Sequence, residues 1–160
     1  MNVHFRVFLP ATASFLSEVD LAEPAAAQVE ALFRLGYFEG EIVIAEPDAP
    51  PFVIPGALEA WAQNVCFDAM TRALAGESCH FANFSGPGGV AVAPEGDRVR
   101  LTTDDGATAT FPRDTLAPAL VACGGRILDW ARARKSDDPT YLANLDYIEA
   151  FRRKAEAALT

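Results

Sequence analysis

The chain is poor in the residues that usually mark a reactive centre. Its 160 residues include two histidines and three cysteines. Cys66, Cys79 and Cys123 are odd in number and widely spaced, with no CxxC pair. That pattern argues against a disulfide framework and against a zinc site, and it suits small buried thiols in a reducing compartment. No stretch reaches the roughly 18 consecutive apolar residues of a membrane span. No basic start followed by a long apolar run suggests an export signal. The expectation is a cytoplasmic protein with no membrane partner. Basic residues are also scarce: 13 Lys and Arg face 22 Asp and Glu, for a net charge of −9. Phosphate binding draws on a basic face, so no nucleic-acid partner is expected.

What is present suits one globular domain over residues 1–160. Apolar residues make up 51% of the chain and charged residues 22%. A chain of this length buries roughly two-thirds of its unfolded surface, enough to fold without a metal or a disulfide. Charge is uneven along it. Residues 1–60 carry nine acids and two bases, whereas residues 113–160 carry seven acids and eight bases. An acidic half steers basic partners toward itself.

The periodicity predicts an α+β fold. Val3, Phe5, Val7 and Leu9 alternate as in a strand that Pro10 stops. Residues 11–23 read as a loop. Pro24 opens a short helix carrying Val29, Leu32, Phe33 and Leu35, and Gly36 ends it. Tyr37-Phe38 then falls at a helix-to-strand corner. Ile42–Ala45 reads as a strand buried on both faces. Residues 46–56, with Pro47, Pro50, Pro51 and Pro55, read as a stiff surface loop. Leu58, Trp61, Val65, Ala69, Met70 and Leu74 recur at helical spacing across residues 57–75.

A C-terminal β-meander follows, over 79–84, 90–93, 98–103 and 107–111, with turn signals between the strands. Val99, Leu101, Ala109 and Phe111 give its last hairpin an apolar face. Arg98, Arg100, Thr108 and Thr110 give it a polar one. Two helices close the chain. The first has Asp114 as its expected N-cap and Gly124-Gly125 at its middle, a pair that marks a kink or a close helix contact. The second begins at the Asp138-Pro139 cap. The expected architecture is a mainly antiparallel sheet with four or more helices on one face.

No catalytic set assembles from these residues. Cys79 and His80 are adjacent on a strand and point to opposite faces, so they cannot act as nucleophile and base together. Gly86-Pro87-Gly88-Gly89 lacks the following helix and the Lys of a phosphate cradle, and reads as a turn. Asp104-Asp105 and Asp137-Asp138 sit where turns and caps use aspartate. No catalytic residue, metal ligand or cofactor is expected. The one gathering of aromatic and acidic residues is Tyr37, Phe38, Glu39, Glu41, Glu46 and Asp48. There the aromatics are candidate anchors and the acids a rim for a basic protein partner.

From Trp61 onward, an amphipathic helix leads through a short meander to a helix just after Phe111-Pro112. This layout resembles that of the immunity proteins that accompany polymorphic secreted toxins in bacteria. The resemblance covers about 100 residues and rests on spacing and composition. It implies a non-enzymatic cytosolic protein that neutralises a cognate toxin by direct binding, and the acidic N-terminal half suits a basic toxin domain. The alternative is a small accessory or ligand-binding domain with a pocket between helices and sheet.

Overall fold

The computed structural model describes residues 1–21, 32–34, 36–135 and 137–160, with Arg34 described by its backbone alone. It is an α+β fold with two antiparallel sheets. In the first, β1 (Asn2–Leu9) lies between β2 (Ser14–Ser17) and β4 (Tyr37–Ala45), and β5 (Phe52–Ala57) flanks the far edge of β4. The two-residue strand β3 (Phe33–Arg34) pairs with Phe38 and Tyr37 at the start of β4. The second sheet is the meander β6 (Cys79–Ala82), β7 (Gly89–Glu95), β8 (Arg98–Thr103) and β9 (Thr108–Pro112).

Among the described residues, three helices pack against the first sheet. The helix α1 spans residues 58–74 and α2 spans Arg113–Arg134. The third, α3, spans Pro139–Ala158. The predicted α-helix over 57–75 is present, but its middle, Ala62–Ala69, is wound as a π-helix.

Register explains the core. Phe5 sits opposite Ile42, which sits opposite Ile54, and Val3 aligns with Ile44 and Phe52 in the same way. Both rows are buried under the helices. Because side chains alternate, His4 and Arg6 of β1, Glu39, Glu41 and Val43 of β4, and Val53 and Pro55 of β5 share the outer face. Ile42, Val43 and Ile44 are all buried, as their compact run predicts. In the meander, Val99, Leu101 and Phe111 are buried while Arg98, Arg100 and Thr108 are exposed, in line with the predicted two-faced hairpin. The buried residues of both sheets and all three helices form one contiguous cluster.

The structure corrects five expectations. The sheet is divided in two, so the meander and the N-terminal strands do not share hydrogen bonds. The loop expected over 11–23 contains β2, whose short Ser-Phe-Leu-Ser sequence is strand only because β1 lies beside it. The stiff loop over 46–56 gives way to β5 from Phe52. Its Pro55 is accommodated because the missing N–H falls on the free edge; the Pro55 carbonyl accepts from Trp61 Nε1 at 2.9 Å. The helix predicted over 24–35 lies largely outside the described residues. At its end, however, Phe33 and Arg34 are strand, and Gly36, with φ of 86°, makes the turn back to Tyr37. Tyr37 and Phe38 therefore belong to β4 and not to a corner. Finally, Asp114 lies in the first turn of α2 without capping it. Pro112 precedes the helix, and the Arg113 N–H is held by the Asp97 carbonyl at 2.8 Å. The Asp138 cap of α3 is as predicted, accepting from the Tyr141 N–H at 3.0 Å.

Candidate functional site

The six residues singled out in the sequence do not converge. Phe38 points inward, fully buried, with its ring 4.5 Å from Trp130 and 5.0 Å from Phe33, so it has no surface to offer a partner. Glu41 lies on the outer face but is 5% exposed and ion-paired with Arg6. Glu46 and Asp48 follow the far end of β4, about 23 Å along the strand from Glu39 at 3.3 Å per residue. Only Tyr37 and Glu39 remain together, half-buried at the start of β4.

Around these two, other residues complete a patch. Phe84, in the turn between β6 and β7, is 71% exposed, and its ring meets Tyr37 edge-on at 5.5 Å. Glu39, Phe8, Phe15, Pro55, Asn83 and Ser85 border a shallow depression of about 270 Å3. Phe8 and Phe15 pack ring against ring at 5.4 Å, and the Arg6 guanidinium lies 5.3 Å over Phe15. The Phe84 turn is internally braced. Asn83 Oδ1 accepts from the Ser85 N–H at 3.1 Å, Asn83 Nδ2 donates to the Pro87 carbonyl at 3.3 Å, and the Asn83 N–H donates to Gly88 at 2.8 Å. Gly56 lets Asn83 approach so closely, because any side chain there would collide with Asn83 and with Trp61.

Tyr37 and Phe84 also wall a second cavity of about 300 Å3, together with Gln63 and Asn64 from the π-helical segment and Asn144 from α3. Glu59 forms part of its lining yet is only 3% exposed. Its carboxylate accepts from the Phe38 N–H at 3.0 Å and from the Tyr141 hydroxyl. Burial pushes the Glu59 carboxyl up to about 7, against the pull of those donors. Burial, and then the Glu59 charge, push the Tyr141 hydroxyl far up as well. This buried pair ties α1, β4 and α3 together.

A cleft of about 650 Å3 lies between β5 and the turns at one end of the meander. Phe52, Val53, Ile54 and Trp61 line one side, with Gly88, Gly89, Thr103, Asp104 and Asp105 on the other. His80 Nε2 lies 2.9 Å from Asp104 Oδ1. Asp105 accepts from the Thr103 hydroxyl and from the Ala107 N–H at 3.4 Å. The Thr103 bond is the main cause that holds the Asp105 carboxyl below its ordinary value.

Comparison with protein-family models, curated proteins and solved structures finds no match for this chain. The site is therefore read from its own geometry. Cys79 is half-buried, and burial raises its thiol, the reverse of what a nucleophile needs. His80 turns to Asp104 instead of a thiol. Cys66, Cys79 and Cys123 are all free thiols. Cys66 and Cys123 are buried as neighbours; burial first, then Cys123, pushes the Cys66 thiol well up. Among the described residues, no three His, Cys, Asp or Glu side chains gather as a metal site, and no helix is long and apolar enough to cross a membrane.

Sequence reading missed Phe84, Phe8, Phe15, Glu59 and Tyr141. One signal was available: Asn-Phe-Ser-Gly-Pro-Gly-Gly places a large apolar side chain inside a turn, where burial is hard to arrange.

Proposed function

We propose that this chain is a non-enzymatic protein-binding module, an immunity-type inhibitor that neutralises a cognate bacterial toxin in the cytoplasm. One observation carries the reading. A braced turn holds Phe84 71% exposed against Tyr37, beside Glu39 and the Phe8–Phe15 pair. An exposed phenylalanine gains little from the fold, whereas rigid aromatics beside a charged rim are how protein interfaces concentrate their affinity. The first 60 residues contribute −7 of the total −9, which favours a basic partner and speeds its approach. The raised Cys79 thiol and the engaged His80 support the non-enzymatic part of the reading.

The test uses a toxin domain encoded beside the gene for this chain. Co-expression is expected to protect cells, and the purified pair to associate. Glu39→Lys should slow association most at low salt. Phe84→Ala should shorten the complex lifetime about thirtyfold, the size of an anchor worth about 2 kcal/mol. A wild-type chain that neither protects nor binds would overturn the proposal.

A further inference from the structure

The cleft between β5 and the meander has no part in the docking patch, although the two adjoin at Pro55 and Pro87. Its volume of about 650 Å3 falls within the roughly 300–1,000 Å3 of small-molecule sites, and far exceeds what one side chain of a partner protein would fill. Its composition is that of such sites too: an apolar body with a few polar groups at one end. Phe52, Ile54 and Trp61 are buried residues that present carbon to the hollow. The strand edge beside it is closed to a pairing peptide. Pro51 and Pro55 bring no N–H, and the Pro55 carbonyl is already taken by Trp61.

The polar end carries one sign of charge. Asp104 and Asp105 line it, and no Lys or Arg among the described residues does. Asp105 has one oxygen engaged by the Thr103 hydroxyl and the Ala107 N–H. Asp104 has one oxygen on His80. Gly89 lets that pair lie close over β7: a Cβ there would stand 2.6 Å from the Phe81 carbonyl, and 3.0 Å from both Asp104 Oδ2 and His80 Nε2. A divalent cation would ask for six or more oxygens around it, and here the facing wall is carbon. An ammonium or amidinium on an apolar body satisfies both ends.

We propose that this cleft binds a small organic cation with an aromatic or alkyl body, its charged head on Asp104 and Asp105 and its body against Phe52, Ile54 and Trp61. The proposal stands whether or not the chain binds a toxin. Trp61 supplies the reporter, and Trp130→Phe removes the only other tryptophan. The probes are 3-phenylpropylamine and its uncharged counterpart 3-phenylpropanol, titrated at pH 7 while Trp61 fluorescence is followed.

The amine is expected to bind saturably and at least about tenfold tighter than the alcohol. In Asp104→Asn with Asp105→Asn, that preference should fall to near one, while the circular dichroism spectrum and melting temperature show the fold retained. The double amide keeps an oxygen acceptor for Thr103 and Ala107. If it nevertheless unfolds, raising salt against the wild type serves instead and should erode the amine's preference alone. No saturable response to the amine, equal affinity for the alcohol, or a preference untouched by both the amide substitutions and salt would each overturn the proposal.

Discussion

Glu59 sits in the first turn of α1, 3% exposed, with the Phe38 N–H and the Tyr141 hydroxyl as its donors. Two donors do not repay the loss of water, so burial raises its carboxyl from 4.5 to about 7. The consequence for stability follows from proton linkage. Between pH 4.5 and about 7 the folded chain holds a proton that the unfolded chain has released, so the contribution of Glu59 to stability falls as pH rises through that window. Below it both states are protonated; above it both are ionised and the full penalty stands. A rise of this size corresponds to about 3 kcal/mol. Glu59→Gln keeps an acceptor for Phe38 and Tyr141 and cannot ionise. Urea unfolding at pH 4.5 and at pH 8 should therefore show a loss in the wild type that is smaller by about 3 kcal/mol in the variant. Equal losses in both would mean that Glu59 ionises in the fold as easily as in water.

At the scale of elements, the contact between α1 and α2 depends on one glycine. A Cβ on Gly124 would stand 2.6 Å from Cys66 Cβ and 2.8 Å from the Phe67 ring, both deep in the core. For a Cβ on the adjacent Gly125 the nearest neighbour would be the Arg152 guanidinium, at 3.2 Å, and that side chain can move. Each change to Ala gains about 1 kcal/mol of helix propensity, but overpacking costs about 1–3 kcal/mol. Gly125→Ala is expected to hold or raise the melting temperature. Gly124→Ala is expected to lower it by several degrees, and the reverse order would contradict the close contact.

The Gly-Gly pair was readable in the sequence because a long apolar helix has no other reason to carry it. So were β1, α1, the two-faced meander and the Asp138 cap, each set by a period or by a local hydrogen bond. Strands β2 and β5 were not legible. One is held by its neighbour β1, and the other hides behind prolines that only an edge position tolerates. The site was legible in part, for the same reason. Tyr37 and Glu39 could be chosen from their local company. Phe84 and Glu59 depend on which distant segment, β4 or α3, folds against them.

At the scale of the molecule, two sheets that share no hydrogen bonds could melt separately, as two domains would. The packing argues that they do not. Val90, Val92, Val99, Leu101 and Phe111 of the meander are buried in the same cluster as Val3, Phe5, Ile42 and Ile54 of the first sheet, joined through α1 and α2. Phe52 of β5 meets Phe111 of β9 directly, ring to ring at 6.3 Å. If the meander left, its own apolar face and the sides of α1 and α2 that it covers would meet water. Exposing such a face would cost about 25 cal/mol for every Å2 of apolar surface given to water. Unfolding in urea should therefore be a single transition, with tryptophan fluorescence and far-ultraviolet circular dichroism tracing the same curve. Phe111→Ala opens a cavity in the meander half and should lower that one midpoint for both probes together, by an amount equivalent to about 3–5 kcal/mol. If the variant split the curve, with the circular dichroism of the meander lost while Trp61 and Trp130 stayed buried, the two sheets would be separate folding units and the single-core account would fail.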